Sequence, residues 1–405
     1  LAACLAAVVG GGRVARADSC SLDSASGILD VEIQAINQLR LGASGTIFLG
    51  AAACATATEV STIRVRARPD VAFRAQTLTI RNGTFGPGRD AEIDEPEIEI
   101  SIDLGPDTGF VDAVMILGTT GPDAYVFTAH GLKTNGDADE DVTFEDDTVR
   151  VVVLGDASAD VIDASAFAIA SGTQLGGGDG NDRITGSPGP DAIIGDGGRD
   201  VLEGLGGPDS FRDGPGLDQI FGGDGDDVIF SDDHDSAGPP YRPRGDEISG
   251  GPGVDEVRYD FRLAPVMVTI DGNPDDGEPG ENENVQLDVE NVVGGKKADV
   301  LVGSSGANKL TGGNGNDELY GGDGDDILAG QAGSDVLVGD GGDDTLKGAV
   351  GNDILDGGAG VDLYLGEDGD DLILNGDGIA ETVDCGEGLD DAEPDLLDTL
   401  IGCEA

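Results

Sequence analysis

Aspartate recurs at a fixed spacing through two stretches of the chain. Asp182, Asp191, Asp200, Asp209, Asp218 and Asp227 stand nine residues apart without a slip, and Asp246 and Asp255 resume the spacing after an insertion. Asp299, Asp317, Asp326, Asp335, Asp344, Asp353, Asp362 and Asp371 keep the same frame further on, with Asn308 in one slot. Chance supplies one or two such coincidences, not sixteen. A carboxylate in a fixed slot is a hard oxygen ligand offered repeatedly. Two residues before it stands glycine, as at Gly180, Gly189 and Gly198 and then from Gly315 through Gly369. A glycine repeated there most simply marks backbone at positive φ.

Two residues after the aspartate the side chain is apolar: Ile184, Ile193, Leu202, Phe211, Ile220 and Ile229 in the first block, Leu301 to Leu355, Tyr364 and Ile373 in the second. Each nonapeptide therefore reads as a six-residue turn followed by a three-residue strand whose middle residue points inward. One such unit cannot bury its single apolar side chain. Two of them make an 18-residue coil with strands on opposite faces, and stacked coils bury a thin ladder of Leu and Ile at about 4.8 Å spacing. Turns then lie over turns: Asp182 over Asp200, Asp191 over Asp209, Asp317 over Asp335, Asp326 over Asp344. Such columns of carboxylates repel unless a cation binds. Calcium takes six to eight oxygens in irregular geometry, from carboxylates and backbone carbonyls alike. Magnesium demands a stricter octahedron, and zinc wants His or Cys, which the frames lack. The pattern is a calcium site repeated, with paired aspartates supplying the charge.

The stretches "GGNGNDELY" and "GGDGDDILA" resemble the repeats-in-toxin (RTX), or haemolysin-type, calcium-binding nonapeptide G-G-x-G-x-D-x-U-x. The resemblance covers about residues 155–258 and 294–392. It implies an all-β parallel β-roll holding several calcium ions between adjacent turns, with the in-frame aspartates and turn carbonyls as ligands. Departures put particular turns in question: Asn308 and Ala380 lack the carboxylate, Asp213 replaces the first glycine, and Lys296-Lys297 place cations in a turn. Ser187, Leu205, Gln331 and Ala349 replace the second glycine.

The whole chain of 405 residues carries a net charge of −59, with 70 glycines, 4% aromatic residues and no Trp. Residues 1–90 hold nine Lys/Arg against seven Asp/Glu, so nearly the whole acidic excess lies beyond them. That charge argues against nucleic acid or an anionic membrane as partner. "LAACLAAVVGGG" followed by "VARADSC" reads as the C-terminal part of a secretion signal, cut after Ala17. A lipid on Cys4 is the alternative. No segment is long and apolar enough to be a transmembrane helix. Cys20, Cys54, Cys385 and Cys403 remain, and in an exported chain Cys20–Cys54 and Cys385–Cys403 are the economical disulfides.

The organisation expected from these features is a signal (1–17), a β-rich N-terminal domain (18–115), degenerate repeats and linker (116–175), a first roll block (176–258), a two-strand insertion with an acidic loop (259–293), a second block (294–374) and a disulfide-bonded cap (375–405). Neither His130 nor His234 lies in H-E-x-x-H, and no G-x-S-x-G or P-loop occurs. "DDHD" (232–235), "DADEDVTFEDD" (137–147) and "DGNPDDGEPGEN" read as solvated acidic loops. The expectation is an exported, non-enzymatic calcium-binding protein. The alternatives are an adhesin or matrix component meeting a cell-surface partner through its N-terminal domain, or an enzyme with an unrecognised site in 18–150.

Overall fold

The computed structural model describes residues 150–167, 172–231, 245–374, 376, 378–392 and 398–403, together with separate strands upstream of residue 150. The fold is an all-β parallel solenoid, and no helix occurs among the described residues. Two compact units divide the chain, residues 1–207 and 208–405.

In the first unit, Arg150–Ala157, Thr173–Gly180 and Ala192–Gly198 form one parallel ladder, pairing Val153 with Leu175 and Leu175 with Ile193. Val161–Asp163, Arg183–Thr185 and Val201–Gly206 form a second, pairing Ile162 with Ile184 and Ile184 with Leu202. These six inward residues are fully buried. Alternation along each strand explains it: a three-residue strand shows its middle side chain to one face and its neighbours to the other. Upstream, Thr77–Arg81 and Ala113–Leu117 run parallel and lead into Arg150–Ala157, while Ser19–Asp23 pairs antiparallel with Ile28–Ile33. The cleavage site and the proposed Cys20–Cys54 pair fall outside the residues whose side chains are described.

The second unit carries the longest run. One face pairs Phe211, Ile229, Val257, Val292, Leu310, Leu328, Leu346, Tyr364, Val383 and Leu400 in strict succession, all parallel. Another pairs Val268, Leu301, Leu319, Leu337, Leu355 and Ile373. Residues 259–293 supply rungs to this stack. Met267–Thr269 starts the second ladder, Asn284–Val285 pairs with Glu247–Ser249, and Asn291–Val293 joins Glu256–Arg258 to Lys309–Asn314. The extra chain length loops out between rungs, so the register of the apolar column survives it. At the C-terminal end a Cys385–Cys403 disulfide, Cα–Cα 5.0 Å, ties one coil to the next. Leu400 and Ile401 of the final strand are exposed.

Candidate metal centres in the stacked turns

The in-frame aspartates are buried beside the apolar ladder, and most use Oδ1 in the same way. Asp335 Oδ1 accepts the backbone N–H of Asp317 at 2.8 Å, one coil back, and Asp335 in turn donates its own N–H to Asp353 Oδ1 at 2.8 Å. Asp353 does the same with Asp371. On the other face Asp326, Asp344 and Asp362 repeat the bond, each 18 residues from its partner. The pattern extends through Asp182 to Asp200, Asp209 to Asp227, Asp218 to Asp246, Asp227 to Asp255 and Asp299 to Asp317. All sixteen aspartates are buried. The strand that follows each turn fixes this orientation, because the apolar residue two positions on must also point inward.

The second oxygen differs. Oδ2 of Asp182, Asp227, Asp255, Asp317, Asp326, Asp335, Asp344, Asp353 and Asp371 is buried with no hydrogen-bond partner. A buried carboxylate oxygen left unbonded is expensive, so it marks a missing partner rather than a packing preference. The first glycine of each of these nine turns faces the same spot. A methyl group on Gly321 would collide with Asp326 Oδ2 and lie 2.9 Å from the carbonyl oxygen of Gly339, one coil on; on Gly348 it would meet Asp353 Oδ2 and the Gly366 carbonyl at 3.0 Å. Glycine thus keeps open a cradle where a carboxylate oxygen and a carbonyl oxygen converge.

Burial is the main reason these carboxyls titrate high. It pushes Asp200, Asp255, Asp317 and Asp326 up to about 7, and Asp344 and Asp353 up to about 6, against the lowering effect of the N–H each accepts. Neighbouring aspartates add to the rise. Among the described residues no three His, Cys, Asp or Glu side chains converge as a metal cluster. A cation here must complete its shell with backbone carbonyls and water, which suits calcium and excludes a zinc-type site.

Three slots look different. Ser187 N–H donates to Asp191 Oδ2 at 2.5 Å, Gly295 N–H to Asp299 Oδ2 at 2.6 Å, and Ser304 N–H to Asn308 Oδ1 at 2.7 Å. Of the turns that the sequence put in question, those of Leu205, Gln331 and Ala349 keep the left-handed backbone of the glycine they replace, at φ 75°, 78° and 79°. Lys296 and Lys297 are exposed.

The structure also corrects the frame at the C-terminal end. Leu363 pairs with Thr382, so the slot assigned by counting to Ala380 belongs to Glu381, which is buried. One residue inserted into the coil shifts the register. The same shift brings Asp390 under Asp371, whose N–H donates to Asp390 Oδ1 at 3.0 Å, 19 residues away. Asp390 Oδ2 is buried and unpartnered like the others. Glu290 likewise fills the slot after Asp255, accepting its N–H at 2.8 Å across 35 residues. Asp160 starts the first unit's column, donating its N–H to Asp182 Oδ1 across 22 residues. Nine-residue counting misses all of these because their coils are longer than 18.

One carboxylate is neutralised from within. Glu283, buried, accepts Arg262 Nη2 at 2.7 Å, Tyr259 Oη at 2.7 Å and Ser231 Oγ at 3.0 Å. Arg262, also buried, further reaches Glu281 at 2.7 Å and the Ser231 carbonyl at 3.1 Å. Burial alone would lower the guanidinium's pKa, but Glu283 and Glu281 overcome it and hold Arg262 charged.

No helix among the described residues is long and apolar enough to cross a membrane. No curated protein matches the chain. The family model described as the RTX calcium-binding nonapeptide repeat (4 copies) matches residues 176–211, 203–233, 293–328, 302–337, 329–364 and 338–373. Within those residues, the turns whose carboxylates and carbonyls converge in this way match the RTX calcium-binding nonapeptide repeat.

Proposed function

We propose that this protein is an exported, non-enzymatic calcium-binding β-roll protein, in which calcium held between stacked GGxGxD turns drives folding outside the cell. The observation that carries the reading is the row of buried, unpartnered Oδ2 atoms facing glycine cradles. The ligands are in-frame aspartates, those whose Oδ2 is left open contributing the oxygen that the preceding coil's N–H does not use, with turn carbonyls completing the shell. Export supplies calcium at concentrations that extracellular modules use, about 10⁻⁴–10⁻³ M, and an oxidising compartment suits the Cys385–Cys403 disulfide. Titration of the chelated protein with calcium, followed by circular dichroism and hydrodynamic radius, tests the reading. A rise in β signal and a contraction near that concentration are expected. A β signal and radius already complete in excess chelator would refute calcium-driven folding.

A further inference from the structure

The in-frame turns adopt two conformations, and the residue four positions before the carboxylate separates them. Ahead of Asp182, Asp227, Asp255, Asp317 and Asp326 it is a left-handed glycine, with φ from 92° at Gly178 to 108° at Gly223. Ahead of Asp335, Asp344, Asp353 and Asp371 it is Gln331, Asp340, Ala349 and Glu367, which nevertheless hold φ of 78°, 70°, 79° and 68°. In all nine turns Oδ2 is buried and unpartnered. Ahead of Asp191, Asp299 and Asn308 the residue is Ser187, Gly295 or Ser304, none of them left-handed. In these three its N–H points at the carboxyl or amide oxygen and bonds it.

We infer that the backbone of this residue selects the occupant of each turn: left-handed, it leaves the carboxylate oxygen open to calcium, and otherwise its own amide takes that oxygen and the turn binds no ion. The inference rests on the calcium reading above and adds which turns of this chain take the ion. On it, Asp191 and Asp299 belong to metal-free turns although they stand in frame.

Each capped turn has a visible cause. Ser187 Oγ accepts the N–H of Gly189 at 3.2 Å and donates to Asp191 Oδ1 at 3.1 Å, and Ser304 makes the same pair of bonds with Gly306 and Asn308 at 3.1 Å each. Serine's short hydroxyl favours such local turns over other backbone conformations. Pro188 also steers Ser187 toward extended backbone. Gly295 shows that conformation, not residue type, decides. It is packed against the Tyr259 carbonyl and Arg262, about which a Cβ would sit 3.3–3.4 Å away. In the open turns a non-glycine residue is held in a disfavoured region, as happens where the surroundings need that conformation.

Two experiments test this on the full chain. In crystals grown with terbium in place of calcium, anomalous density should appear beside the open turns, including Asp335 and Asp353, and be absent beside Asp191, Asp299 and Asn308. Comparable density at Asp191 or Asp299 would overturn the inference. In solution, the exposed Gln331 allows opposite substitutions that touch no ligand side chain. Gln331→Gly removes the left-handed penalty and should tighten calcium binding about fivefold. Gln331→Ser offers the capping hydroxyl and should lower the number of ions bound, as read by isothermal titration calorimetry. Calcium uptake that is identical for the two variants would sink the inference and leave the calcium reading intact. No uptake by the unaltered chain would sink both.

Discussion

An aspartate in the repeat slot gives its two oxygens different work. Asp335 Oδ1 accepts the Asp317 N–H and so joins coil to coil, while Oδ2 faces the glycine cradle. Asp335→Asn keeps the first function, since an amide oxygen accepts the same bond, and removes the charge from the second. Fewer ions and a higher calcium midpoint are expected by calorimetry, with the fold retained at saturating calcium. Leu337→Asp attacks the ladder itself. It places an unpaired charge where Leu337 is fully buried, a cost of several kcal/mol at least, and urea unfolding should show the loss at every calcium concentration. On the proposed function, protons and calcium compete for Oδ2. Without calcium, Asp317 and Asp326 titrate near 7 in the fold, above the usual carboxylate value of about 4. Their folded pKa is raised, so the stability they add is complete below about pH 4 and is lost as pH rises through 7. In chelator the chain should therefore keep more β signal at pH 5 than at pH 8. Saturating calcium should reverse that order, because the ion requires the ionised form.

At the scale of the coil, the constraint is register rather than length. Coils of 18 residues alternate with coils whose partners lie 19, 22, 28 or 35 residues apart, and the inward residues still meet. Parallel backbone pairing sets the rung, and any surplus chain is expelled at the turn. Where the expelled chain is longest it returns Arg262 to Glu283, a fixed cation in a column otherwise made of carboxylates. Arg262→Ala leaves Glu283 buried without its partner, which costs about 3–5 kcal/mol. Because this pair needs no ion, the loss measured by urea unfolding should be similar with calcium at two saturating concentrations. Gly330→Ala tests the cradle directly. The added methyl collides with Asp335 Oδ2, so calcium affinity should fall sharply by calorimetry while Gly402→Ala, at the far end of the chain, serves as a comparison.

For the whole molecule the dominant quantity is the charge of −59 over 405 residues, concentrated beyond residue 90. Without cations, self-repulsion opposes every coil that stacks. On the proposed function, folding and calcium uptake are one equilibrium, and the apparent stability should climb with the logarithm of free calcium, more steeply the more ions the fold takes up. A plot of urea midpoint against calcium measures that slope. The C-terminal disulfide acts differently: closing 18 residues is worth about 3 kcal/mol through the unfolded chain. Reduction should lower the stability of the last coils equally with and without excess calcium, as hydrogen exchange at Thr382–Asp384 would report.

The sequence by itself determined the repeat, the inward column of Leu and Ile and the carboxylate slots. All of these follow from a period of nine and from side-chain alternation, which are local. It could not place Glu290, Glu381 or Asp390 in their slots, because a coil of irregular length leaves the count and only backbone pairing restores the register. Nor could it separate the turns of Gln331 and Ala349 from that of Ser187, since all three replace the same glycine. Two are held left-handed and one is not. The parallel pairing of Gly313, Gln331, Ala349 and Glu367 across stacked coils holds Gln331 and Ala349 in a region their own identity disfavours, whereas Ser187 is drawn off by its own hydroxyl and by Pro188.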